Sequence, residues 1–125
     1  MNAAVRVVAL GAVLVAVASA CGDSPPSTLA TTRALPRLVD VGAGKCIPCK
    51  AMAPILDRLR TDFAGRMEVQ FVDVWVNPDA GQPYAIRMIP TQIFFAADGR
   101  ELSRHEGFMS REEILARWKS HGVAF

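Results

Sequence analysis

The chain has 125 residues, a formal net charge of +2 and an apolar content of 51%. That length suits one small domain and excludes two. The charge is near balance and no basic run or stripe appears, which argues against nucleic acid as a partner.

The apolar excess is concentrated at the start. Val7 to Ala20 carries no charge, Arg6 precedes it, and Ala18, Ser19 and Ala20 close it with small side chains. Residues 1–20 therefore read as a secretory signal, too short to span a bilayer comfortably as a permanent anchor. Ala18-Ser19-Ala20-Cys21 resembles the lipobox of bacterial lipoproteins, in which the cysteine after the cut is acylated. Ala18 stands where Leu is usual, and the same Ala-x-Ala also suits ordinary signal peptidase. A lipidated Cys21 would tether the domain to a membrane surface without a spanning helix. The lead-in that follows carries Pro25, Pro26 and Pro36 among Ser and Thr. Residues 21–36 are thus a lipid-attachment cysteine and linker. A small folded domain remains over residues 37–125, with a core that is marginal but workable.

Arg37 to Gly42 is a short apolar run ending in glycine, the pattern of a buried strand. After a glycine-rich loop, Met52, Ile55, Leu56, Leu59 and Phe63 share one helix face. Pro54 should kink that helix and Gly65 should stop it. Met67 to Val76 is a second buried strand with Asp73 inside it. Asn77 to Pro83 is a turn-rich link with room for one helical turn. Thr91 to Ala96 and Arg100 to His105 are strands joined by a tight turn at Ala97-Asp98-Gly99. Ser110 and Glu113 have capping-box spacing ahead of a stripe formed by Ile114, Leu115 and Trp118, and Gly122 closes the last helix. Strands joined through a helix should be parallel and the hairpin pair antiparallel. An α/β fold follows, a mixed four-stranded sheet flanked by helices.

Cys46-Ile47-Pro48-Cys49 lies between a strand and the opening of a helix. A C-x-x-C at that place in a βαβ pattern reads as a redox motif. Unpaired backbone N–H groups and the helix dipole there stabilise a thiolate, the reactive form. Lys45 adds a cation immediately before the first cysteine, and Pro48 stiffens the spacer. Half of a zinc site and a static disulfide are the alternatives. Zinc needs about four ligands, and neither a second cysteine pair nor the spacing of His105 and His121 supplies them. A static bridge here would close a loop too small to stabilise much. Asp40 lies within an apolar run on the face of Leu38, so it must be paired or protonated, or have its pKa raised for function. Pro90 could be an ordinary proline opening a strand. Met52, Met88 and Met109 read as packing residues, and Trp75 and Trp118 as core.

Leu38-Val39-Asp40, Cys46-x-Pro48-Cys49-Lys50, Ala53-Pro54-Ile55-Leu56-Asp57 and Ile89-Pro90-Thr91 resemble thioredoxins in order and spacing. The resemblance runs from Arg37 to about Trp118. It implies the thioredoxin fold, shortened at its start, since the lead-in before Arg37 has little room for the family's first strand and helix. It assigns Cys46 as the attacking thiolate, Cys49 as the resolving thiol and Asp40 as the buried acid handling the proton of Cys49. It also makes Pro90 the cis-proline facing the disulfide, so Ile89, Pro90, Lys45, Ile47 and Pro48 become the surface that holds substrate. Four positions depart from the family: Gly42 and Lys45 stand where tryptophans are usual, Ile47 where the spacer usually has Gly, and Phe71 where a lysine often pairs with the buried acid. Without that lysine Asp40 should be harder to ionise.

The reading that results is an exported thiol–disulfide oxidoreductase, a monomer on the periplasmic or cell-surface side, held at a membrane through Cys21. The Ile before Pro90 and the Cys-x-Pro-Cys spacer resemble the reducing branch of the family. Reduction in an oxidising compartment requires electrons from across the membrane, for which an integral-membrane thiol transporter is the expected donor. Clients are protein disulfides or dithiols, and no cofactor is implied because the dithiol is the redox group. Two alternatives stand beside it: a thiol oxidase, and an exported metallochaperone holding Cu(I) through the two cysteines, with Met88 nearby.

Overall fold

The computed structural model describes residues 33–125; the signal read at residues 1–20, the lipid site at Cys21 and the linker as far as Thr32 lie outside the described residues. The elements are β1 (Arg37–Gly42), α1 (Ile47–Asp62), β2 (Glu68–Asp73), a 3₁₀ helix (Pro78–Tyr84), β3 (Thr91–Phe95), β4 (Glu101–Glu106) and α2 (Arg111–Ser120). The strands stand in the order β2-β1-β3-β4. β1 runs parallel to β2 and antiparallel to β3, and β3 pairs antiparallel with β4. Among the described residues this is the mixed four-stranded sheet that the helix-linked and hairpin-linked spacings require.

Alternation along β1 sorts the core into two layers. Leu38 faces the helices and joins Met52, Leu56, Leu59, Phe94, Ile114 and Trp118 in one buried cluster. Val39 and Val41 face the other way and pack with Val72 and Ile93 beneath the 3₁₀ segment. Period-two alternation in a central strand does this directly, since each side chain points opposite to its neighbours. Asp40 and Gly42 therefore share the helix side with Leu38, and Asp40 is fully buried there.

α1 begins at the cysteine motif because Cys46 occupies the N-cap and Pro48 sits in the first turn, where a missing N–H costs nothing. The helix runs unbroken through Pro54 and ends at Asp62, one turn before the expected stop. Phe63 caps it, and Gly65, at φ +74°, makes the left-handed return into β2. At the far end, Ser110 and Glu113 form both halves of a capping box, which starts α2 where its spacing predicts.

β2 is shorter than the apolar run Met67–Val76 suggests. The Asp73 carboxylate accepts the N–H groups of Trp75 at 2.9 Å and Val76 at 3.1 Å, which folds the chain into a turn. That local bond competes with continued strand pairing and wins. As a result Trp75 is 61% exposed rather than part of the core. Met88, expected to pack, is also half exposed, whereas Met52 and Met109 are buried. The link after β2 forms a longer 3₁₀ helix than one turn, and Gly81 within it is needed because a Cβ there would lie 2.6 Å from Val74 Cγ1.

Candidate functional site

The site is built where β1 hands the chain to α1. Gly42 O accepts the Val74 N–H at 2.9 Å, and Asp73 Oδ2 accepts the Gly44 N–H at 2.8 Å. The end of β2 thus pins both sides of the loop that delivers Cys46. Holding three amide donors keeps the Asp73 carboxyl below its ordinary range. Asp73 was visible in the sequence only as an acid inside a strand. Its role as a clamp appears once its neighbours are in place.

Cys46 and Cys49 are joined as a disulfide with Cα atoms 5.2 Å apart. Cys46 Sγ also accepts the Cys49 N–H at 3.4 Å, so the first sulfur itself caps the helix. The two cysteines differ in burial. Cys46 is 9% exposed and Cys49 only 3%. Lys45, Ile47 and Pro48 are exposed around them, with Ile47 the most open.

Ile89 packs against Ala43, Cys46 and Cys49, which brings the loop before β3 onto the disulfide. The Ile89–Pro90 peptide bond is cis and Pro90 is buried. Pro90 O accepts the Gly107 N–H at 2.8 Å, and the Thr91 hydroxyl donates to Met88 O at 2.7 Å. These bonds fix the loop on both sides of the proline.

Beneath the cysteines, Asp40 is 0% exposed. Its Oδ1 accepts a hydrogen bond from Gln92 Nε2 at 2.8 Å, and its Oδ2 has no partner among the described residues. Burial pushes its pKa up to about 6, and the Gln92 bond works against that rise. Sequence reasoning did not single out Gln92, although alternation in β3 places it beside Phe94 on the helix side, a polar residue in an apolar row.

Gly42, marked in the sequence only as a departure from the family, has a packing role here. A Cβ at this position would lie 3.1 Å from Cys49 Sγ and 3.1 Å from Phe71 Cε2, so only glycine lets the sulfur and the ring come this close to β1. A cleft of about 220 Å³ opens beside them, lined on its apolar side by Ala43, Cys49, Ala53, Leu56 and Phe71. Among the described residues no three His, Cys, Asp or Glu side chains gather as a metal site.

The arrangement is a cysteine at a helix N-cap, a second, more deeply buried one in the first turn, and a buried acid of raised pKa on β1. Comparison with known proteins gives a matching picture. The family described as Thioredoxin matches residues 27–120, a wider span than the motifs alone indicate. Thioredoxin C-2 of Corynebacterium nephridii is 40% identical over 81 residues, covering 65% of this chain and 74% of that one. A thioredoxin of Staphylococcus aureus is 37% identical over 85 residues, or 68% and 81% of the two chains. The crystal structure of chloroplastic thioredoxin z superposes with a TM-score of 0.62 at 30% identity, over 71% of this chain and 80% of that one. A malarial protein superposes with a TM-score of 0.65 over 71% of this chain and 99% of its own, at 22% identity, a likeness of fold alone.

Proposed function

The chain belongs to the thioredoxin family and is a thiol–disulfide oxidoreductase, and on that premise we propose that it reduces protein disulfides outside the cytoplasm through Cys46 and Cys49. Cys46 at the N-cap, with the more deeply buried Cys49 behind it in the first turn, carries the assignment of roles. The Cys46 thiolate attacks one sulfur of a client disulfide, forming a mixed disulfide and releasing the client's other sulfur as a thiolate, which takes up a proton. Cys49 then gives its proton to the Asp40 carboxylate and attacks Cys46 Sγ. The mixed disulfide breaks, the client's second sulfur leaves as a thiolate and takes up a proton to complete the dithiol, and Cys46–Cys49 closes. Two electrons have passed from this protein to the client.

Asp40 suits the proton transfer because a carboxyl with a pKa of about 6 is ionised near neutral pH yet remains a better base than an ordinary aspartate. Ile89, Pro90, Lys45, Ile47 and Pro48 form the client-facing rim. Regeneration requires a dithiol donor, which in an oxidising compartment is an integral-membrane thiol protein. The signal-like residues 1–20 and Cys21 support export and a lipid tether close to such a donor.

Trapping tests the core of this reading. Cys49→Ser should accumulate a mixed disulfide with a reducible protein client, and Cys46→Ser should accumulate none. The reverse pattern would overturn the roles. For the tether, the full chain expressed in a bacterium with labelled palmitate should incorporate label, and Cys21→Ser should not. Equal labelling of both, or none of either, would count against lipidation.

A further inference from the structure

A single row of side chains crosses the helix side of the sheet beneath the cysteines. Register pairs Phe71 of β2 with Asp40 of β1, Asp40 with Gln92 of β3, and Gln92 with His105 of β4. β2 and β4 are the two edge strands, so the row ends at Phe71 on one side and at His105 on the other. Its ring does not stand upright on its own position. It leans along the strand until Cε2 comes within 3.1 Å of where a Gly42 Cβ would be, and Cys49 Sγ reaches the same point from above. Ring, glycine and buried sulfur form one packed contact.

The cleft beside α1 shows what this contact does. It reaches Cys49 and Phe71, yet Asp40 does not line it. Phe71 is 37% exposed, with part of its ring toward solvent, while Asp40 one strand inward is 0% exposed. Register thus sets Phe71, at the cleft, on the solvent side of Asp40 in this row.

We propose that Phe71 is a positioning residue for the resolving step: its ring, seated on Gly42, closes the sheet edge so that the proton shared by Cys49 and Asp40 is held away from water on that side. This rests on the reading of Asp40 as the proton acceptor for Cys49. The groups that could otherwise set the proton's behaviour face elsewhere. On α1 Cys49 is buried, and Lys50, Asp57 and Arg60 line the outer cleft. From β2, Asp73 is turned to the amides of Gly44, Trp75 and Val76. From β4, a His105 ring nitrogen lies 3.1 Å from Phe108 O. β3 contributes Gln92, which does not titrate. An apolar wall favours the neutral acid, and removing it admits the water that stabilises a carboxylate.

The test is stopped-flow mixing of the reduced protein with an equimolar amount of Ellman's reagent across pH. Cys46 attacks the reagent and releases a first thionitrobenzoate; Cys49 then attacks Cys46 Sγ and releases a second, so the dithiol is oxidised as the reagent is reduced. The second release should show an inflection set by Asp40. In Phe71→Ala, and in Phe71→Gln, which keeps bulk but brings a polar group, that inflection should move down by about one pH unit. Phe71→Leu, which rebuilds an apolar wall, should restore it. A variant that fails to fold shows in both releases, and the Ala and Gln variants check each other. If both keep the wild-type inflection while Asp40→Asn abolishes it, the wall has no such role and the reading of Asp40 stands. If Asp40→Asn itself keeps the wild-type profile, that reading fails and the proposal falls with it.

Discussion

Gln92 Nε2 donates to Asp40 Oδ1 at 2.8 Å across the middle of the sheet, while the other oxygen of Asp40 is left without a partner. One bond is too little to compensate a carboxylate for complete burial, so the pKa of the acid is raised to about 6. The pair holds Asp40 at a working value instead of neutralising it outright.

Replacing Gln92 by Leu, of similar volume, removes the one bond that favours the carboxylate. The Asp40 pKa should rise beyond about 6. A carboxyl-detected NMR titration of the two proteins reads this directly, and a fall in the variant would contradict it.

The same shift has a consequence for stability. The Asp40 pKa is raised from an unfolded value of 3.8 to about 6 when the chain folds, so the native state holds the proton more tightly. Its contribution to stability is fully present below the unfolded value and is lost as pH rises through the folded one. The loss amounts to about 3 kcal/mol at most. Asp40→Asn cannot ionise, so it should be more stable than wild type at pH 8, with the gap closing toward pH 4. Urea titrations at the two pH values check the sign.

Asp73→Ala should loosen the approach to Cys46, because Gly44, Trp75 and Val76 all lose their acceptor. Hydrogen exchange at the Gly44 amide should quicken several-fold. Here the sign is opposite to that of Asp40. A pKa held below the ordinary 3.8 gives stability above the unfolded value that is lost as pH falls through the folded one, so wild type and variant should converge only in strong acid.

Trp118 is fully buried, with its ring 5.0 Å from Phe94 and 5.7 Å from Phe125. Trp118→Ala should cost about 3–5 kcal/mol, a large part of the roughly 5–15 kcal/mol that a small domain possesses. Its indole N–H has no partner among the described residues. Trp118→Phe keeps a ring and drops that donor, so it should cost no more than about 1–2 kcal/mol. Denaturant midpoints of the two variants should separate accordingly.

The parts of this molecule legible in its sequence are those where local chemistry and tertiary packing agree. Alternation placed Asp40 with Leu38, the stripe Met52-Leu56-Leu59 marked the buried face of α1, and Ser110 with Glu113 marked the start of α2. The cysteine motif stood at a strand-to-helix junction for the same reason. What escaped depended on contacts between distant segments. Val74-Trp75-Val76 has the composition of a strand, but the Asp73 side chain folds it into a turn and leaves Trp75 in solvent. Gly42 and Phe71 looked like departures from a family pattern. Folding makes them partners against the sulfur of Cys49, a relation that sequence spacing does not encode.

The reduction potential of the Cys46–Cys49 pair, measured by equilibrating the domain against glutathione or dithiothreitol, tests the central claim most directly. A reductase fed from a membrane donor should poise near thioredoxin, at about −270 mV. A value near about −120 mV would mark an oxidant of exported thiols and contradict the direction assigned here.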